Sequence, residues 1–130
     1  LSNVRFLPFQ PYDRLAESLS AAHVHLVTME ANLTGLVVPS KLYGALAAGR
    51  PALFLGPLDS EAARTIRDHD CGTVLPQPSG SALADAIRTW HDNPDRWAAA
   101  SERAHGAVAT AQDKAARSFD RILRWAAALR

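Results

Sequence analysis

The residues best placed to do chemistry are Pro39-Ser40-Lys41, which open an apolar run that closes at Gly49-Arg50-Pro51. Pro39-Ser40 is a helix start, because a hydroxyl beside a first turn can accept from the free N–H groups there. Leu42, Leu46 and the cluster Ala45, Ala47 and Ala48 then make a compact apolar helix. Gly49 can take a positive φ and stop it. A helix N-terminus presents unpaired N–H donors and the positive end of a dipole, so it favours anions. Lys41 stands in that first turn, where the dipole disfavours a cation. Two readings stay open on the local pattern: a Lys extended into solvent, and a Lys that meets an anion such as phosphate.

Other reactive residue types are sparse. His23 and His25 lie two apart and share one face of a strand. With no Cys, Asp or third His at ligand spacing, they read as a solvated or hydrogen-bonded pair, and no metal site is expected. The single cysteine, Cys71, excludes an intrachain disulfide and points to a reducing compartment. No Walker loop, Gly-x-Gly-x-x-Gly, His-Glu-x-x-His, Gly-x-Ser-x-Gly or Cys-x-x-Cys occurs. The carboxylates are scattered, so no catalytic residue is named.

These residues sit in a chain of 130, with 48% hydrophobic and 21% charged side chains, the balance of an ordinary globular domain. The formal net charge of +1 gives no broad field toward nucleic acid. No apolar run approaches the ~20 residues that span a bilayer. The chain starts at Leu1 and is in strand-like sequence by Val4, which is how a fragment begins.

The elements that must position Ser40 and Lys41 follow from periodicity. Val4-Arg5-Phe6-Leu7, His23–Val27, Ala52–Leu55 and Thr73–Leu75 read as strands, about four in all. Asp13 can cap a helix to about Ser20 that buries Leu15, Ala16 and Leu19. Met29 to Val38 is a loop. Asp59 or Ser60 can cap a helix that has Glu61 in its first turn and runs to about His69, with Cys71-Gly72 as its stop. A helix from Ser81 buries Leu83, Ala84, Ile87 and Trp90, and another begins at Asn93-Pro94 and ends by Gly106 or Val108. A last helix, about Gln112 to Leu129, puts Phe119, Ile122, Leu123, Ala126 and Leu129 on one stripe. Lys114, Arg117, Arg121 and Arg124 line its other side. This basic face reads as solvated, with a membrane-surface helix as the other reading. Strands alternating with helices imply a doubly covered, Rossmann-like parallel α/β sheet with a C-terminal helical segment. Ligands bind such sheets beyond the carboxyl ends of the strands, where Pro8–Tyr12, Thr28–Ser40 and Gly56–Glu61 would lie.

The ordered series Asn3-Val4-Arg5-Phe6-Leu7-Pro8, Ala22-His23-Val24-His25-Leu26-Val27, Val38-Pro39-Ser40-Lys41, Ala47-Ala48-Gly49-Arg50-Pro51 and Glu61…Cys71-Gly72 resembles a known family. Over about its whole length the chain looks like the C-terminal half of a bacterial retaining glycosyltransferase with two facing Rossmann-like domains, the B-type fold. It is closest to members that build cell-surface polysaccharides and carry a Pro-Ser-Lys helix start. The resemblance implies that residues 1–130 are part of the nucleotide-sugar-binding domain, with its first strands and the acceptor domain absent. It implies that Ser40 and Lys41 face the diphosphate of a UDP-sugar or other nucleotide-diphosphate sugar. The loop Gly35, Leu36, Val37, Val38 and Pro39 would border the donor sugar. Leu7, Pro8 and Phe9 would lie near the base, and Tyr43, Gly44 and Glu61 complete the candidate set. The sequence departs from the family at Gly44, where members often carry a ribose-binding Glu, and at Leu36, where many carry another.

The expected reaction is transfer of a sugar to a lipid-linked or saccharide acceptor, without cofactor or nucleic-acid partner. The expected place is the cytoplasm, with the inner face of the cell membrane as a peripheral site. The other readings are a non-catalytic α/β module that binds a partner through the Ala52–Leu75 edge, and part of a sugar-nucleotide epimerase of the same fold.

Overall fold

Ala52-Leu53-Phe54-Leu55 is apolar at every position, and such a strand is stable only where both of its faces are covered. In the computed structural model, which describes residues 2–128, this strand is β2 (Ala52–Leu55), the centre of a three-stranded sheet. It pairs in parallel with β1 (His25–Thr28) and β3 (Gly72–Leu75), so that Phe54 stands between Val27 and Val74. The helices are α1 (Leu15–Ser20), α2 (Ser40–Ala47), α3 (Glu61–His69), α4 (Gly80–His91) and α5 (Pro94–Ala128). The α/β reading with a parallel sheet, flanking helices and a C-terminal helix therefore holds.

The alternation of side chains sets the two layers. Val27, Ala52 and Phe54 turn to one face, where they meet Leu42 and Leu46 of α2, Ile66 of α3, and Ala104 and Ala107 of α5. Leu53 turns to the other, against Trp90 of α4 and Ala100 of α5. Burying each large apolar side chain of this kind is worth about 1.5–3 kcal/mol, which is what fixes the crossover helices to the sheet. Trp90 and Trp97 are tied by their ring N–H groups, to Thr73 Oγ1 at 3.1 Å and to the His23 carbonyl at 2.7 Å. Gly72 is needed by the register itself, since a Cβ there would stand 2.1 Å from the Ala52 carbonyl oxygen.

The structure corrects several expectations. The described residues form three strands, not about four: Val4–Leu7 has no regular secondary structure and joins no sheet, with Phe6 96% exposed. Strand propensity reflects packing on a sheet, and without a paired neighbour alternation alone does not make a strand. Before α1 the chain makes a 3-10 turn, Tyr12–Arg14, and no side chain, Asp13 included, caps it or the helix. Of the three residues expected to be buried by α1, only Leu19 is even half-buried. Ile87 of α4, expected to be buried, is 51% exposed and lines an open cavity with Leu26 and Leu53. The stop of α3 is Asp70, in the left-handed region at φ 45°, rather than Cys71-Gly72. The two helices expected after Asn93 are one. Gly106 is a single glycine without proline nearby, its helical penalty is only ~1 kcal/mol, and the alanines around it are the best helix formers. Buried Ala104 and Ala107 hold that stretch on the core. Of the expected stripe on the last helix, Phe119 is 65% exposed; the side chains of Ile122, Leu123 and Ala126, and Leu129 altogether, lie outside what is described.

Candidate functional site

β1 ends at Thr28, and the chain leaves the carboxyl edge of the sheet as a loop that carries a 3-10 turn, Ala31–Leu33. Gly35 takes φ 80°, a conformation that side-chain-bearing residues rarely adopt, and the loop then runs outward. Leu36, Val37 and Val38 are exposed by 79%, 48% and 49%. Pro39, in extended conformation, is the residue before the first turn of α2. The sequence places Ser40 at the helix start, and there it is; its hydroxyl does not cap the turn, and no other side chain does. The Leu42 N–H reaches the Pro39 carbonyl at 3.0 Å. Ser40 and Lys41 are exposed, and among the described residues Lys41 enters no ion pair. The uncapped turn and the Lys41 ammonium group together form a positive, exposed helix end at the carboxyl edge of a parallel sheet.

The rest of α2 is anchored firmly. Leu42, Ala45 and Leu46 have no exposed surface. Gly49, at φ 66°, ends the helix, and Ser101 Oγ of α5 donates to its carbonyl at 2.6 Å. The Arg50 amide closes back on the Ala45 carbonyl at 2.9 Å, and its guanidinium donates to the Ser20 carbonyl at 2.8 Å. A rigid scaffold therefore carries an open first turn.

The other candidate residues are placed less simply. Tyr43 is half-buried, and its hydroxyl lies 3.5 Å from Thr65 Oγ1 of α3. Gly44 faces α1, where a Cβ would stand 3.4 Å from Leu19 Cδ1. Glu61 is engaged by α5, where Lys114 Nζ donates to its carboxylate at 2.9 Å, and by Arg64 of its own helix at 3.2 Å. The hydrogen bond from Lys114, and then that from Arg64, holds the Glu61 carboxyl below its ordinary value against the opposing effect of burial. Leu7, Pro8 and Phe9 lie in the irregular segment before the first 3-10 turn, with Leu7 78% and Phe9 95% exposed. The contiguous run from Gly35 to Lys41 is thus brought to one edge, while Tyr43, Gly44 and Glu61 turn to neighbouring helices.

One residue of this region carried no sequence signal. The Thr34 hydroxyl, in the loop one position before Gly35, is buried without a partner. A lone Thr in a loop matches no motif; only its placement makes it notable. Elsewhere, a cavity of about 700 Å³ opens near the amino ends of the strands, beside His23, Leu26, Trp90 and Trp97. It is distinct from the α2 start. His23 packs edge-on against Trp97, with ring centres 5.9 Å apart, and His25 is within 2.8 Å of the Leu19 carbonyl through Nε2, so the two histidines make separate contacts. Among the described residues no three or more His, Cys, Asp or Glu side chains gather as metal ligands. Burial pushes the Cys71 thiol up to about 11, which removes it as a thiolate nucleophile. No described helix is long and apolar enough to cross a membrane.

Comparison with known proteins supports a glycosyltransferase family for this chain. It is 39% identical over 69 residues to the "Probable glycosyltransferase WbjE" of Pseudomonas aeruginosa, a match over 53% of this chain and 17% of the relative. It is 33% identical over 89 residues to the "Putative colanic acid biosynthesis glycosyl transferase WcaI" of Escherichia coli (strain K12), over 68% of this chain and 22% of the relative. The chain thus matches about a fifth of the length of these curated relatives. No family model matches the chain. No solved structure matches it either.

Proposed function

We propose that this chain is the donor-binding part of a glycosyltransferase of the two-Rossmann-domain fold, and that the donor is a nucleotide-diphosphate sugar, a UDP-sugar first. The observation that carries the reading is the uncapped, exposed start of α2 at the carboxyl edge of the sheet, with Lys41 unpaired in its first turn. A diphosphate placed before that turn would meet free N–H groups and an ammonium group. Both stabilise the charge that grows on the leaving nucleoside diphosphate as the sugar is transferred. The Gly35–Pro39 loop would border the sugar, with the Ser40 hydroxyl free to donate to a phosphate oxygen. Donors of this kind need no metal ligand from the described residues, because the helix end and Lys41 supply positive charge. The acceptor, lipid-linked or saccharide, would be held mainly by a further domain, and the product would be a cell-surface polysaccharide, in line with the colanic acid in one relative's name. A cytoplasmic enzyme working at the inner face of the membrane fits such an acceptor.

Calorimetric titration with UDP and with uridine tests the reading. UDP is expected to bind at least tenfold more tightly than uridine, and the difference should shrink as salt is raised. Equal affinity for the two, or no binding of UDP, would overturn it.

A further inference from the structure

We draw no further inference here: the strongest candidate, the apolar groove of about 700 Å³ that β1, β2, α4 and the start of α5 leave open beside Leu26, Ile87, Trp90 and Trp97, is an unpartnered sheet face, and nothing in the structure shows what covers it.

Discussion

Lys41 stands where the helix dipole costs it about 0.3–1 kcal/mol when no anion is present. With a diphosphate before the turn the sign reverses, and a charge-assisted hydrogen bond contributes about 1.5–3 kcal/mol. Lys41→Ala is therefore expected to weaken UDP binding roughly tenfold to a hundredfold. Uridine affinity and the unliganded melting temperature should hold or, for the latter, rise slightly. Calorimetry and thermal unfolding read both; a large loss of unliganded stability would make Lys41 a structural residue. Thr34 gives a second test at this scale. Its buried, unpartnered hydroxyl carries a desolvation cost of about 1–3 kcal/mol. Thr34→Val keeps the shape without the hydroxyl, so urea unfolding should show stability held or gained. A clear loss would mean that the hydroxyl is bonded after all. The contrast between these residues explains what was legible. Pro39-Ser40-Lys41 was readable because a helix start is written in adjacent residues, whereas the burial of Thr34 depends on how the whole loop folds back.

Two glycines, one inside α2 and one just past its end, should respond with opposite signs. Gly44 lies inside α2 in helical conformation, and a Cβ there makes a contact at 3.4 Å with the end of the flexible Leu19 side chain. Gly44→Ala should stabilise by up to about 1 kcal/mol without changing UDP affinity. Gly49 has φ 66°, and its Cβ would lie 2.7 Å from His105 Nε2. Gly49→Ala should cost about 1–2 kcal/mol from the left-handed backbone alone, and more from the clash. Thermal unfolding of the two variants side by side decides this. Between elements, Glu61 links α3 to Lys114 of α5. Its carboxyl is held low in the folded protein, so the stabilisation is present above the ordinary carboxylate value and fades as pH falls through the folded one. For so exposed a pair it is worth only about 0.2–1 kcal/mol. Glu61→Gln should lower the melting temperature slightly at pH 7, and the gap should shrink as pH falls below the ordinary carboxylate range. At this scale α2, β2 and α3 were legible from their apolar runs, with the Ser60 cap of α3 and the Gly49 stop of α2, while the expected Ser40 cap and the Cys71-Gly72 stop were not found. Val4–Leu7 misled because strand formation needs a neighbour, and α5 misled because Gly106 reads as a stop only when the burial of Ala104 and Ala107 is left out.

For the molecule as a whole, alternation of strand and helix was enough to give a parallel sheet with its connecting loops. The exposure of Leu26 and Ile87 was not legible, because periodicity says which face is apolar and not whether anything packs on it. The chain matches about a fifth of the length of its curated relatives, and the proposed donor-binding reading gives a prediction at this scale. Binding and chemistry should separate: the 130-residue chain is expected to bind UDP yet to release no nucleoside diphosphate from a UDP-sugar in a coupled assay. Steady release by the purified chain would show that the 130 residues hold a complete active site.

The packing of α2 on α5 also has a consequence in time. The helix that bears Ser40 and Lys41 rests on Ala104 and Ala107, and its last turn is fastened by Ser101. A ribosome adding 5–20 residues per second finishes Ala107 roughly 3–12 s after Ala47. Throughout that interval Leu42 and Leu46 lack part of their native cover. The apolar face of α2 is thus made several seconds before the α5 residues that complete its cover in the folded chain.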